Sequence, residues 1–418
     1  MPQHVYFVID MKSFFASVEC AERGLDPMTT KLVVADIERT EKTICLAVSP
    51  EMKKLGVKNR CRLFEIPRNI DFIIAKPQMQ KYIDYAGEIY SIYLNYLSKD
   101  DIHVYSIDEC FLDVTSYLKI HKVRAKAFAL QLMDEIWQKL KIPSTCGIGT
   151  NLYLAKIALD ITAKSSVDRI GWLDEEKYLK TLSNHTPITD FWRVSVGTAK
   201  RLLKYGITDM EGIRNFDEDT LYKEFGIDAE LLIDHAYGIE PCTMKDIKNY
   251  KSKSKSISQG QILKEGYKKD DFILVLKEMI QFGTYRLKEN HLVTDLIAIY
   301  IRYDDMTYSH YSIRIPYRTN LYKYMIDFII KETNEKVSDK KLIKGINYAF
   351  MNVLSDEYES YDLFVNQNEV DKEKKLYDSI LKIQTKYGKN ALLKGIDFDE
   401  KATQRERNKM IGGHRSGN

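Results

Sequence analysis

An Asp-Glu pair sits at the centre of the stretch Val104-Tyr105-Ser106-Ile107-Asp108-Glu109-Cys110-Phe111-Leu112-Asp113-Val114, flanked by alternating β-branched or aromatic and small or polar residues. The pattern predicts two short strands meeting at the acids. Neighbouring carboxylates do not both stay ionised cheaply unless a cation neutralises them, so a divalent metal is the simplest chemistry for the pair. A third acid waits at a strand end: residues 4–10 alternate Val5, Phe7 and Ile9 and finish at Asp10, and Phe14, Phe15 and Val18 follow at helical spacing.

These acids need a scaffold, and 418 residues are too many for one core; about three or four domains are expected. A hydrophobic fraction of 44% and a charged fraction of 29% fit a soluble globular protein. Net charge is only +3, from 63 basic and 60 acidic residues, so affinity for nucleic acid must come from local clustering. No apolar run reaches the roughly 18 residues of a membrane helix, and Asp10 and Lys12 interrupt any leader-like start, so a cytoplasmic protein without membrane attachment is expected. The six cysteines show no C-x-x-C spacing and read as reduced, buried thiols.

Periodicity outlines an α+β domain whose small sheet carries all three acids. Strands are expected over 31–36, 43–48 and 144–148. Helices are expected over 50–55, stopped by Gly56, and over 79–97, 123–140 and 151–164. A boundary is expected near residues 165–166, with only short helices over 172–237. Residues 191–207 look like a helix-hairpin-helix, in which Gly197 would open a helix whose amides hold a DNA phosphate, assisted by Lys200 and Arg201. The run Lys251-Ser252-Lys253-Ser254-Lys255-Ser256 reads as a basic linker. Beyond it a β-α-β-β-α-β order closes near residue 353, and a polar tail follows with one helix over 372–386 and a flexible basic end.

With these parts in place, the sequence resembles the Y-family translesion DNA polymerases, most closely the SOS-mutagenesis type (polymerase V catalytic subunit-like) of Gram-positive bacteria and their mobile elements. The resemblance is carried by Asp10-Met11-Lys12-Ser13-Phe14-Phe15-Ala16-Ser17-Val18-Glu19, by Tyr105 to Asp113, by Gly147-Ile148-Gly149 with Ala155-Lys156, and by Lys253-Ser254-Lys255-Ser256-Ile257-Ser258. It implies a multidomain right-hand polymerase: palm over 1–27 and 75–165, small fingers over 28–74 and a helical thumb over 166–245. A linker over 246–255, a little finger over 256–356 and a C-terminal tail over 357–418 complete it.

The resemblance also implies roles. Asp10, Asp108, Glu109 and the Met11 carbonyl would hold two Mg²⁺ ions about 4 Å apart, the arrangement that stabilises both attacking and leaving oxygens in nucleotidyl transfer. Phe15 would be the steric gate against a ribose 2′-hydroxyl, and the amides of Phe14 and Phe15 would touch phosphate. The family's fingers Arg and Tyr fall on Lys53 and Pro50, so the bidentate fork and the hydroxyl are lost, with Ser49 a possible substitute. Lys164 matches the palm lysine, one residue farther from Ala155-Lys156 than in some relatives.

Partners implied are primer-template DNA, deoxynucleoside triphosphates and the sliding clamp, with the protein itself a monomer. DNA contacts are expected from Lys253, Lys255, Arg286, Arg302 and Arg314, and clamp contacts from Leu363 and Phe364 in Ser360-Tyr361-Asp362-Leu363-Phe364, which lacks the leading Gln of the clamp pentapeptide. Two rival readings are a nucleotide cyclase, which leaves the chain after residue 165 unexplained, and a catalytically inactive DNA-binding scaffold, which would have lost the acids.

Overall fold

The computed structural model describes residues 4–39, 42–252 and 255–417, and the chain forms two compact units, one running to Tyr250 and the other from Lys251 to Arg415. The first opens with β1 (Tyr6–Met11), α1 (Phe14–Ala21), β2 (Leu32–Val34), β3 (Ala47–Val48), α2 (Pro50–Lys54) and β4 (Ile73–Ala75). Next come α3 (Met79–Leu94), β5 (Ile102–Val104), β6 (Glu109–Asp113), α4 (Thr115–Ile120), α5 (Ala125–Leu140), β7 (Ser144–Gly149), α6 (Leu152–Ile157) and β8 (Ile170–Leu173). A run of helices closes the unit: α7 (Glu175–Leu182), α8 (Val196–Leu203), α9 (Met210–Arg214), α10 (Glu218–Phe225), α11 (Asp228–Ala236) and α12 (Met244–Asn249).

Strand β1 divides two cores because its side chains alternate. Phe7, Ile9 and Met11 join Val18, Tyr82, Tyr93, Phe128 and Ile136 on one face, and Tyr6 and Val8 join Phe111, Leu152, Ala155 and Leu159 on the other. The sheet runs β5-β6-β1-β7-β8, antiparallel except for β7 with β8. Asp10 continues the Tyr6-Val8 side, so it falls on the face covered by α6. That helix lies on bare backbone. Gly147 and Gly149 stand opposite Val8 and Tyr6. A Cβ on Gly147 would be 2.1 Å from the Ala155 oxygen, one on Gly149 2.2 Å from the Ala155 nitrogen, and one on Gly171 of β8 2.3 Å from the Ala158 oxygen.

Several boundaries differ from those expected. β8 extends the sheet to Leu173, past the break expected at 165–166; four residues including a glycine carry too short a pattern to read, and their partner β7 is supplied by the fold. β4, for which no strand is expected from the sequence, runs parallel to β2 in a small β3-β2-β4 sheet. Residues 246–249 of the expected linker are helical in α12, whose Met244 and Ile247 pack beside Tyr6. The helix expected over 151–164 becomes a π-helical turn over Ala158–Thr162. Such a turn accommodates one extra residue within a helix.

The second unit contains β9 (Ile257–Tyr267), α13 (Lys269–Glu289), β10 (Leu292–Tyr303), β11 (Tyr308–Thr319), α14 (Ile326–Lys336) and β12 (Ile343–Met351), the order expected. After these come β13 (Leu354–Ser355), α15 (Gln367–Tyr387), α16 (Gln404–Arg407), β14 (Met410–Ile411) and β15 (His414–Arg415). Its sheet runs β11-β10-β12-β9, with Ile297, Ile299 and Ile301 buried against Phe272, Met279 and Ile329. The last sixty residues are not a loose tail. Tyr377 of α15 is buried and its hydroxyl accepts the Tyr322 amide at 2.9 Å, while buried Glu278 of α13 accepts the amides of Thr403 at 2.8 Å and Gln404 at 3.2 Å. A few anchoring side chains dock a segment whose average composition is polar.

Candidate active site

The register of β1 and β6 sets Asp10 directly opposite Glu109, and the Met11 amide donates to the Asp108 carbonyl at 2.9 Å. Directly opposed residues share a face with Cα atoms about 4.5–5.5 Å apart. The Ser106 hydroxyl donates to Asp108 Oδ1 at 2.6 Å, tying the second acid into the turn. The three expected acids and Met11 are therefore brought to one end of the two central strands.

Their electrostatics show a shortage of positive charge. Burial, then the charges of Asp108 and Glu109, push the Asp10 carboxyl up to about 8. Burial also raises Glu109, opposed by Lys156. Lys156 Nζ, itself buried, lies 2.8 Å from Glu109 Oε2 and 3.2 Å from Asp160 Oδ1. The other Glu109 oxygen, Oε1, is buried without a hydrogen-bond partner. An orphaned carboxylate oxygen among crowded acids, all of them hard donors, fits Mg²⁺. Among the described residues no three His, Cys, Asp or Glu side chains already form a metal cage, and Glu109 is turned towards Lys156.

Beside the acids the chain turns sharply at Ser13, whose φ of 51° is left-handed, and enters α1. Phe14 is buried, while Phe15 is half-buried with its ring stacked on Tyr82, centroids 4.5 Å apart and planes at 17°. Lys53 Nζ donates to Ser13 Oγ at 2.8 Å. Burial lowers the Lys53 ammonium below its ordinary value, with Lys12 and Lys164 pushing the same way and Asp10 opposing. Lys12 is likewise lowered, by burial and then by Arg169 and Lys54. Clustered cations beside clustered acids suit a metal-bound polyphosphate. Ser49 does not belong to this set. Its fully buried hydroxyl donates to the Thr30 carbonyl at 2.7 Å and accepts from the Leu32 amide at 3.1 Å and the Met52 amide at 3.4 Å, leaving nothing for a phosphate.

The residues expected to touch DNA are more dispersed. Gly197 lies inside the first turn of α8, capped by Ser195, and a Cβ there would meet only Ser195 Oγ at 3.6 Å, so the glycine marks no tight hairpin. The segment before it holds a single 3-10 turn, Ile188–Asp190, in place of a full helix. Lys200 is exposed; Arg201 is held by Glu224 at 2.8 Å and lies over the Phe225 ring at 4.1 Å. Lys253 lies outside the described residues, and Lys255 is exposed. Arg302 and Arg314 alternate with the buried residues of β10 and β11, so both sit on the sheet face away from α13. Arg286 lies on α13 and so on the opposite side, a difference that strand and helix periods treated separately do not reveal. Leu363 and Phe364 are 99% and 95% exposed, in a turn where Asp362 Oδ1 accepts the Phe364 and Val365 amides at 2.9 and 3.1 Å.

Sequence reasoning passed over Lys156 as a site residue, along with Lys12 and Tyr82. The four-residue spacing of Lys156 and Asp160 was a visible hint of a charge pair, whereas its contact with Glu109, 47 positions away, is a product of the fold.

The fold has counterparts among known proteins. The chain superposes on a Y-family DNA polymerase chimera, Dbh-Dpo4(243-245)-Dbh, with a TM-score of 0.66 at 20% identity, covering 84% of this chain and 99% of that one. The fold is thus that of the Y-family polymerases. Residues 9–160, which hold all three acids, match the impB/mucB/samB family model. UvrX of Bacillus subtilis (strain 168), by name a candidate UV-damage repair protein, is 29% identical over 99% of this chain and 98% of its own length. DNA polymerase IV 2 of Halalkalibacterium halodurans is 28% identical over 98% of this chain and 99% of its own. Residues 9–160 thus belong to the impB/mucB/samB family, and over nearly its whole length the chain is similar to Y-family DNA polymerases of Gram-positive bacteria.

Proposed function

We propose that this DNA-directed DNA polymerase performs low-fidelity translesion synthesis, adding deoxynucleotides to a primer 3′ end opposite damaged template as part of an SOS-type response. The observation that carries this reading is the convergence of Asp10, Asp108 and Glu109 with a buried, unpartnered Glu109 oxygen. Asp10, Asp108, Glu109 and the Met11 carbonyl would hold Mg²⁺, which when bound supplies Lewis-acid stabilisation of charge on the transferring phosphoryl group. Around it, Lys53, Lys164 and Lys12 would orient the triphosphate, and the Phe15 ring would close the space beside C2′ of the sugar. Contacts from Lys200, Lys255, Arg302 and Arg314 to phosphates would add sequence-independent affinity.

Primer extension on undamaged and abasic templates, with Mg²⁺ and over a salt series, tests the reading. Incorporation opposite the abasic site is expected, with DNA affinity falling steeply as salt rises. No incorporation on either template would defeat it. Phe15→Ala is expected to lower the preference for deoxy- over ribonucleotides by about two orders of magnitude, the scale on which a pocket rejects one extra hydroxyl. Unchanged sugar discrimination would remove Phe15 from the role.

Leu363 and Phe364 are proposed to plug an apolar pocket of the sliding clamp. Each would bury a side chain worth about 1.5–3 kcal/mol. The double variant Leu363→Ala, Phe364→Ala should therefore bind purified clamp at least about 100-fold more weakly. Equal retention of both proteins on immobilised clamp would exclude the site.

A further inference from the structure

Helices α1 and α3 meet through two pairs of residues spaced one turn apart. On α1 these are Phe15 and Glu19; on α3 they are Tyr82 and, at its N-cap, Gln78. The aromatic members stack, with centroids 4.5 Å apart. The polar members lock the stack: the Tyr82 hydroxyl donates to Glu19 Oε1 at 2.6 Å, and Gln78 Nε2 donates to the same carboxylate at 3.0 Å. Arg23 closes the network through an ion pair with Glu19 and a bond to its backbone oxygen at 2.6 Å. Tyr82 and Glu19 have no measurable exposure, so neither side chain is free to serve as a surface contact.

A buried carboxylate with three donors on it is an expensive way to pack two helices, and simple apolar contacts would do so equally well. What this network adds is a fixed ring. Phe15 is only half-buried, and on its inner side it rests against Tyr82, whose far end is pinned by Glu19. A side wall excludes a hydroxyl only if it cannot swing away, and the stack opposes that swing.

We propose that Tyr82, anchored by Glu19, is a positioning residue for Phe15 and thereby a determinant of sugar selection, resting on the reading of Phe15 as the sugar gate. Tyr82 acts behind the gate and touches no substrate. Its removal lets the Phe15 ring tilt back, so ribonucleotide insertion rises relative to deoxynucleotide insertion. An aromatic pair's coupling corresponds to a roughly 2- to 12-fold change in that ratio.

The test measures kcat/KM for single insertions of matched deoxy- and ribonucleotides by the full-length protein on an undamaged primer-template. Wild type, Phe15→Ala, Tyr82→Leu, Tyr82→Phe and the Phe15→Ala, Tyr82→Leu double variant are compared. Tyr82→Leu is expected to lower the deoxy-to-ribo ratio within that range, and Tyr82→Phe, which keeps the stack, to retain more of it. In the Phe15→Ala background the Tyr82 change should shift the ratio no further, because there is no ring left to position. Should Tyr82→Leu fail to fold, Tyr82→Met, whose flexible side chain fills irregular gaps, is read the same way. Equal loss with both sugars in Tyr82→Leu or Tyr82→Met, beside a relaxed Phe15→Ala, overturns the positioning role while leaving the gate intact. A Tyr82→Phe protein no better than Tyr82→Leu overturns the stack as its agent. A Phe15→Ala protein with wild-type discrimination removes the gate itself.

Discussion

Asp108→Ala is expected to lower primer extension by about three orders of magnitude or more while leaving the affinity for primer-template DNA within a fewfold of wild type. The carboxylate projects from a turn tied by Ser106 and by the Met11 amide, so its loss disturbs charge more than fold. Losing a metal ligand removes several kcal/mol of charge stabilisation, and each 1.36 kcal/mol is about tenfold in rate. Asp10→Asn should fall as far, and it offers a second readout that separates chemistry from misfolding. In the metal-free protein the Asp10 carboxyl is pushed up to about 8 from an ordinary 3.8, so between these values the folded chain keeps a proton that the unfolded chain has released. A raised carboxyl contributes stability that is fully present below about pH 4 and lost as pH rises through about 8. Asn carries no such slope. Metal-free Asp10→Asn should therefore melt a few degrees above wild type at pH 9 and lose that advantage near pH 4, whereas millimolar Mg²⁺ should raise the wild-type Tm and not the variant's. Near-normal extension by either variant, or identical melting at both pH values, would contradict the placement of charge at this end of the sheet.

How much of this arrangement the sequence disclosed depends on the range of the interaction concerned. The alternation of Val5, Phe7 and Ile9 announced β1, and the flanks of Asp108-Glu109 announced a hairpin, because a strand's two faces are written at a period of two. The β-α-β-β-α-β order of the second unit was readable for the same reason, in strands and helices long enough to show their periods. What escaped was set by partners distant in the chain. Ile170–Leu173 becomes a strand because β7 offers it an open edge, and Lys156 becomes part of the site because α6 is laid across β1 and β7. Ser49 misled in the opposite direction: a hydroxyl near the expected phosphate site turned out to be the N-cap of α2, a local duty that its position just before Pro50 could have signalled. The glycines of Gly147-Ile148-Gly149 were noticed as a motif, and their reason is steric.

That reason gives the second large effect, a loss of fold. Gly147→Ala is expected to destabilise the first unit by about 4 kcal/mol or more, a large share of the ~5–15 kcal/mol that holds a domain together. The added methyl would stand 2.1 Å from the Ala155 oxygen and 2.3 Å from the Leu159 nitrogen, both backbone atoms of the segment lying across the sheet. No rotamer relieves a clash with backbone, so the helix must lift. Lifting it draws Lys156 away from Glu109, leaving a buried carboxylate with neither of its oxygens paired. Overpacking and the broken pair thus act together, and the variant should aggregate on expression or melt at least about ten degrees below wild type. Gly87→Ala is the matched control: Gly87 lies on the exposed face of α3, a Cβ there meets nothing within 4 Å, and alanine should stabilise by up to about 1 kcal/mol through helix propensity alone. If urea titrations gave Gly147→Ala and Gly87→Ala the same midpoint, α6 could not be resting on the bare strand, and Lys156 would have lost its route to the acids.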